Sequence, residues 1–165
     1  MNSRKPLGLI ALMSVLLTTL NLASYTLSVP TYSQSPLDVT ITTLDRNFAE
    51  RAEFYIGEIV YFKVTVIGRI GYYLEEEYHY IVGPTTYYVF VQVETPTHEY
   101  PFLFVDPNRL INPGETFVET PGWWIPYGAM KGDYIAHVYL TNGWPSEEGV
   151  WIAYALAEIT FTVKE

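Results

Sequence analysis

Cysteine is absent from this chain of 165 residues, and basic residues are few. Without cysteine the protein can form neither a disulfide framework nor a thiolate metal or redox site, so its fold depends on packing alone. Lys and Arg number 9 against 18 Asp and Glu, and the net charge is −9. Nucleic acids and anionic lipid surfaces attract basic patches, so the charge balance predicts that the protein binds neither.

Charged residues are also sparse, at 16 %, whereas hydrophobic residues make up 49 % and aromatic residues 16 %, with Tyr the most frequent aromatic. This is the composition of a folded chain rather than a disordered one. The lack of cysteine, combined with abundant Tyr, Val, Ile and Glu, favours a thermophilic source, because thermolabile residues are depleted at high temperature.

Histidine occurs only at His79, His98 and His137, and these positions are widely separated. Their spacing gives no Ser-His-Asp or Cys-His arrangement, and no glycine-rich phosphate loop is present. The sequence therefore predicts that the protein is not an enzyme and uses no cofactor. His137 falls on the outward face of a predicted strand, which indicates a surface histidine.

Two groups of acidic residues are candidates for binding Ca²⁺, which prefers carboxylate oxygens. Glu75–Glu77 lie beside His79, but consecutive residues of a strand face opposite sides, which favours a solvated loop or strand edge. Asp106, Asn108 and Glu115 could hold an ion across a turn, yet Asp-Pro-Asn is typical of a turn in itself. We therefore predict no metal site.

The N-terminus has the layout of an export signal. Arg4 and Lys5 precede an uncharged apolar run from Leu7 to Leu17, which is shorter than the roughly 20 apolar residues that span a bilayer. We predict that residues 1–23 are a cleaved signal peptide and that the protein is secreted, with no membrane attachment afterwards. An uncleaved anchor and a pilin-type leader cut near Gly8 are the alternatives.

Residues 24–36 form an uncharged arm that is rich in Ser, Thr and Pro. Such a composition is typical of a linker. Within it, however, Tyr25, Leu27 and Val29 alternate with polar residues, which is the pattern of a strand with one apolar face. The arm is therefore either a linker or a strand that needs the edge of a sheet to pair with.

Alternation of apolar and polar residues continues through the rest of the chain. Residues 58–67 place Val60, Phe62, Val64 and Val66 on a single face. Comparable runs occur at 37–42, 87–93, 102–105, 116–120, 134–140 and 159–163. About seven to eight short strands without a long helical period predict an all-β sandwich over residues 37–165.

Turn signals separate these strands. Asp106-Pro107-Asn108 is expected to close the strand at 102–105, and Asn112-Pro113-Gly114 is expected to form a turn. Only residues 49–51 and 153–157 offer the pattern of a helical turn.

Three segments carry a resemblance to a known family. Trp124–Tyr134 resembles the segment before the penultimate strand of immunoglobulin-like domains. Leu110–Glu115 resembles a turn of CARDB-like domains, and Trp144–Val163 resembles the final hairpin of secreted archaeal domains. The resemblance covers roughly 37–164 and implies an immunoglobulin-like surface domain of archaea or bacteria. It also implies that Tyr134 is the tyrosine of the corner motif, whose hydroxyl bonds back to the backbone. The chain departs from antibody domains in lacking both cysteines and a clear Trp on the third strand.

Four Trp residues in the second half of the chain are possible ligand-binding aromatics: Trp123, Trp124, Trp144 and Trp151. Exposed aromatic rings at the end of a sandwich can stack on sugars. Trp is usually largely buried, however, so a core position is favoured for these residues.

The leading functional interpretation is an extracellular structural protein, the subunit of a pilus-like surface filament or layer that this chain forms with itself. In donor-strand assembly an arm such as Tyr25, Leu27 and Val29 fills a groove in the next subunit and supplies backbone hydrogen bonds. The alternative is a monomeric secreted adhesion or carbohydrate-binding module that uses the Trp-rich loops.

Overall fold

The computed structural model describes residues 35–74, 77–144 and 153–165. The predicted signal peptide, the alternating arm residues Tyr25 to Val29, and Trp151 lie outside these residues. The described part of the chain contains no helix, and so none that could cross a membrane. Its strands are β1 (Leu37–Leu44), β2 (Glu53–Tyr55), β3 (Ile59–Gly68), β4 (Gly71–Leu74), β5 (Glu77–Tyr80), β6 (Thr85–Glu94), β7 (Phe102–Ile111), β8 (Thr116–Glu119), β9 (Gly122–Trp124), β10 (Gly132–Thr141) and β11 (Ala153–Lys164).

Two sheets form the body of the fold. In the first sheet the order is β1-β3-β8, and β9 also pairs with β3. In the second sheet the order is β2-β11-β10-β6-β7, while β4 and β5 form a separate hairpin. The pairing of β2 with β11 is parallel and all the other pairings are antiparallel. A first strand in one sheet, followed by a short strand that runs parallel to the last strand of the other, defines an immunoglobulin-like β-sandwich.

The core lies between the inward faces that the alternation predicts. Val60, Phe62, Val64 and Val66 of β3 are all fully buried. They face the inward residues of the second sheet, which include Tyr87, Val89, Val91, Val93, Tyr134, Ala136, Val138, Leu140, Phe161 and Val163. Burial of apolar area at about 25 cal/mol per Å² is the main stabilising term of such a core.

The strands differ from the sequence prediction in three places. The four additional strands β2, β4, β5 and β9 are only three or four residues long, too short to show alternation. β7 does not close at Asp106-Pro107-Asn108 but continues to Ile111, because a bulge opposite β6 absorbs one extra residue and Asn108 adopts φ 55°. Residues 153–157 form no helical turn but the first half of β11, because they pair with β10.

Candidate functional site

Tyr134 and Trp123 lie together in the core. The Tyr134 hydroxyl donates a hydrogen bond of 2.8 Å to the carbonyl oxygen of Met130, four residues earlier. Its ring lies 5.7 Å from the ring of Trp123, whose side chain is only 6 % exposed. Trp123 therefore packs in the interior, the core position that its sequence context favoured.

The other described Trp residues lie on different sheets. Trp124 is half exposed on the outward face of β9, in the first sheet. Trp144 follows β10, in the second sheet, and its ring packs 5.5 Å from that of Phe90. The predicted set of ligand aromatics thus does not converge on one site.

The acidic residues around the end of β7 are held by protein partners. Arg109 forms ion pairs with Asp106 and Glu119 and so links β7 to β8. Burial raises the pKa of the Glu119 carboxyl, and the nearby Asp106 adds to the effect. Glu115 accepts a hydrogen bond of 2.9 Å from the backbone N–H of Asn112. Among the described residues, no group of three or more His, Asp or Glu side chains has an arrangement that could hold a metal ion.

His137 points outward as predicted, yet it is not a surface histidine. Its side chain lies between two carboxylates, 2.9 Å from Glu94 and 2.8 Å from Glu158, and the residue is only 9 % exposed. A hydrogen bond from His98 and a smaller contribution from the hydrogen bond of His137 lower the pKa of the Glu94 carboxyl. This cluster ties β6, β10 and β11 together on the outer face of the second sheet.

The second sheet has an open edge along β11. On the side away from β10, β2 pairs only with Thr162–Lys164. Residues 153–161 therefore have no strand partner on that side within the part of the chain that the structure describes. We call this stretch the open edge.

The direction of the backbone groups at the open edge follows from one hydrogen bond. The N–H of Thr162 donates to the carbonyl oxygen of Ala52 at 2.8 Å, so it points away from β10. Backbone groups alternate in direction along a strand, so the N–H and C=O groups of Leu156, Glu158 and Thr160 also point to the open edge. Among the described residues, these backbone groups have no strand partner.

The side chains beneath the open edge are partly exposed. Ala155, Ala157 and Ile159 face the interior and pack against the core, but they are only partly buried. Further along the same face, beside β2, Phe161 and Val163 are each 1 % exposed. Within the described part of the chain, the core is therefore fully buried beside β2 and only partly buried along the rest of β11.

A groove lies between the open edge and β1 of the other sheet. Its volume is about 270 Å³, and its lining residues are Thr42, Thr43, Glu50, Arg51, Ala52 and Ile159. On the β1 side, the backbone–backbone bonds that β1 makes with described residues outside β3 lie at the end of the strand, where Arg51 N–H donates to Thr43 O at 3.0 Å and Leu44 bridges Glu50. Each wall of the groove is thus an edge strand.

The edges at β7 and β8 are protected. β7 carries Pro107 and the bulge at Asn108, and β8 is only four residues long. Proline, bulges and shortness are the means by which proteins prevent edge-to-edge pairing. Residues 155–161 of β11 contain no Pro, Gly, Lys or Arg, and the bulge of this strand lies before them, between Ala153 and Ala155. The open edge from Ala155 to Phe161 therefore has neither a proline nor a bulge.

The sequence contained one signal of the open edge, which the helical interpretation of 153–157 obscured. Ala155 and Ala157 put small residues at alternate positions. On a strand this period places them on one face, where they leave room for larger side chains from a neighbour.

No protein-family model matches the chain, and no curated protein matches it. Among solved structures, the chain is similar to the C-terminal domain of wzt, with a TM-score of 0.57, 10 % identity, and coverage of 81 % of this chain and 77 % of that one. It is also similar to the Pseudomonas fluorescens alkylpurine DNA glycosylase AlkC, with a TM-score of 0.50 and 12 % identity over 79 % of this chain but only 31 % of that one. A CARDB domain from Pyrococcus furiosus gives a TM-score of 0.46 and 18 % identity over 78 % of this chain and 94 % of that one. At such identities the similarity concerns the fold, and the chain has the fold of immunoglobulin-like domains.

Proposed function

We propose that the protein is an extracellular structural protein, the subunit of a surface filament in which the N-terminal arm of one copy adds as a strand to the open edge of the next. The observation that supports this proposal most strongly is the partly buried face of Ala155, Ala157 and Ile159 beneath a backbone ladder that has no strand partner among the described residues. Strand addition satisfies both features at once, because backbone bonds pair the edge and alternate side chains fill the groove.

The arm has the complementary pattern. Tyr25, Leu27 and Val29 would give one face with three large apolar side chains. Opposite them, the open edge offers the small side chains of Ala155 and Ala157. Large residues against small ones are what dense packing between neighbouring layers needs.

The chain length permits docking into a neighbouring copy. Six residues separate Pro30 from Leu37, the first residue of β1, and six extended residues reach at most about 20 Å. An arm that leaves one copy and enters the groove of another makes a contact between two different surfaces. When the rotation between successive copies does not close into a ring, repetition of such a contact produces a fibre.

The first test blocks the ladder without touching the core. Thr160→Pro removes an N–H that points to the open edge and leaves the β10 ladder intact, because proline is tolerated where the N–H faces away from the sheet. We expect Thr160→Pro to fold, with a melting temperature close to that of Thr160→Ala, but to form no filaments in electron micrographs of the purified full chain. Thr160→Ala is the matched control and should assemble normally. Filaments of normal length from Thr160→Pro would rule out this edge as the assembly site.

The second test addresses the arm. Leu27→Asp puts a charge on its apolar face and should abolish assembly, whereas Ser28→Asp puts the same charge on the opposite face and should not. Deleting residues 24–30 should leave a folded monomer, and adding the arm as a peptide should raise its melting temperature. If the truncated protein unfolds, the arm belongs to its own sheet. If the full chain stays monomeric at every concentration, the filament proposal is wrong.

A further inference from the structure

The outward face of the first sheet carries a row of exposed rings at one end of the sandwich. We define the aromatic patch as Phe48, Tyr61, Ile59, Trp124 and Tyr127. Phe48 packs 5.2 Å from Tyr61, Ile59 is the register partner of Trp124, and Trp124 lies 5.6 Å from Tyr127. Its most exposed member is Tyr127, at 79 %.

The rings of the patch are held in place by local contacts. Trp124 Nε1 donates a hydrogen bond of 3.1 Å to the carbonyl oxygen of Gly57. Tyr127 lies against the same residue, where a Cβ would come within 3.0 Å of its Cε1. A Cβ at Gly122 would similarly come within 2.9 Å of the ring of Tyr61. Glycines under two of the rings thus let them lie close to the backbone.

A polar pocket of about 330 Å³ borders the patch. We call it the loop pocket, and its lining residues are Asp45, Arg46, Asn47, Arg51, Glu58 and Ile59. Ile59 belongs to both the pocket and the aromatic patch, so the two surfaces are continuous. The four charged side chains of the pocket are two acids and two bases, which leaves its net charge near zero.

The polar groups of the loop pocket are fixed in position. Arg51 binds Glu58 through two parallel hydrogen bonds of 3.2 and 2.9 Å, and the Tyr55 N–H donates to the same carboxylate at 2.8 Å. Asp45 Oδ1 accepts hydrogen bonds from the backbone N–H groups of Asn47 and Ala49 at 2.7 and 3.1 Å. Groups that are already ordered lose little entropy when a ligand binds.

The loop also stores backbone strain at an exposed ring. Phe48 has φ 60°, a conformation that bulky residues rarely adopt, and its side chain is 62 % exposed. An exposed Phe contributes little to the core, so folding alone does not explain why Phe rather than Gly occupies this position. Strain of this kind concentrates at functional sites.

We propose that the aromatic patch and the loop pocket together bind a neutral carbohydrate. Trp124, Tyr127 and Phe48 offer aromatic faces to the C–H faces of a sugar. Beside them, Arg51 and Asn47 supply donors, while Asp45 and Glu58 supply acceptors, the mixture that hydroxyl groups require. The absence of net charge in the pocket selects against an anionic ligand. This site shares only Arg51 with the groove beside the open edge, and the inference does not depend on the filament proposal.

The test uses the purified full chain with a panel of neutral disaccharides: maltose, cellobiose, mannobiose, galactobiose and chitobiose. We expect at least one of them to shift NMR resonances confined to residues 45–59 and 122–127. Trp124→Ala should weaken that binding about tenfold or more, which corresponds to about 1.4 kcal/mol. The matched control is Trp144→Ala, an exposed Trp on the other sheet, which should bind as the wild type does.

A second variant separates binding from folding. Phe48→Gly removes the ring and also relieves the positive φ, because glycine adopts this conformation without strain. We expect its melting temperature to equal or exceed that of the wild type while its sugar affinity falls severalfold. The proposal is overturned if no sugar of the panel shifts resonances at this site. It is equally overturned if Trp144→Ala weakens binding as much as Trp124→Ala does.

Discussion

Two buried tyrosines in the core should respond in opposite directions to the same substitution. Tyr87 is fully buried, and no described atom forms a hydrogen bond with its hydroxyl. Tyr134 is 1 % exposed, but its hydroxyl bonds to the Met130 carbonyl at 2.8 Å. Replacement of either by Phe removes one oxygen atom and leaves the ring in place, so the difference between the two variants isolates the hydrogen bond.

The magnitudes follow from the burial of each hydroxyl. An unsatisfied buried polar group costs about 1–3 kcal/mol, so Tyr87→Phe should stabilise the protein by about 1 kcal/mol. Burial raises the pKa of Tyr87 to about 12, so its hydroxyl stays protonated and remains a donor without an acceptor at any ordinary pH. Tyr134→Phe loses a bond of ordinary strength and leaves a carbonyl unpaired, which should destabilise the protein by about 1 kcal/mol.

Thermal unfolding of the two variants beside the wild type measures this difference. For a domain of this size, 1 kcal/mol corresponds to a change in melting temperature of about 3–5 °C. We therefore expect Tyr87→Phe to melt a few degrees above the wild type and Tyr134→Phe a few degrees below it. A lower melting temperature for Tyr87→Phe would refute the reasoning, because it would mean that the hydroxyl has a partner worth more than its desolvation.

Three further predictions concern the core, the carboxylates and metal ions. Val64→Asp should unfold the protein, because it places an unpaired charge at a fully buried position, and circular dichroism would detect the unfolding. An unchanged melting temperature would mean that the inward face of β3 is misassigned. Burial raises the pKa of Glu58, but hydrogen bonds from the Tyr55 N–H and from Arg51 outweigh it, so the pKa lies below its usual value. The stability that Glu58 contributes is therefore fully present above the unfolded pKa of about 4.3 and is lost as the pH falls through the folded pKa. Glu58→Gln should then flatten the acid limb of a plot of melting temperature against pH. An unaltered acid limb would contradict this prediction. EDTA should leave the melting temperature unchanged, because Arg109 already pairs Asp106 and Glu119, and a drop of tens of degrees would reveal a structural ion.

Period-2 alternation made the central strands predictable. β3 and β10 each contact the opposite sheet on one face, so burial enforces strict alternation, and a shift of one residue would expose the whole apolar face. The predicted inward residues from Val60 to Val66 and from Tyr134 to Leu140 are buried for this reason. Central strands can thus be predicted from a single sequence, because the same face of the strand is buried along its whole length.

The edges and the site were less predictable, because they depend on contacts distant in sequence. The bulge at Asn108 follows from the register between β6 and β7, and Asp-Pro-Asn alone reads as a turn. His137 is buried only because Glu94 and Glu158 come from the strands on either side of it. The aromatic patch likewise joins Phe48 to residues more than ten positions away, and only the pairing of β3 with β1 and β9 brings them together.

The two proposed surfaces meet at a single side chain. Arg51 lines both the groove beneath the open edge and the loop pocket, and Glu58 holds its guanidinium between them. A strand that enters the groove would therefore contact the residue that borders the sugar site. If docking changes the free energy of sugar binding through Arg51, then sugar must change docking by the same factor, because binding linkage is reciprocal. A substitution at Arg51 would disturb both surfaces and could not tell them apart. Thr160→Pro alters only the edge, and Trp124→Ala alters only the outer face, so either proposal can fail while the other stands.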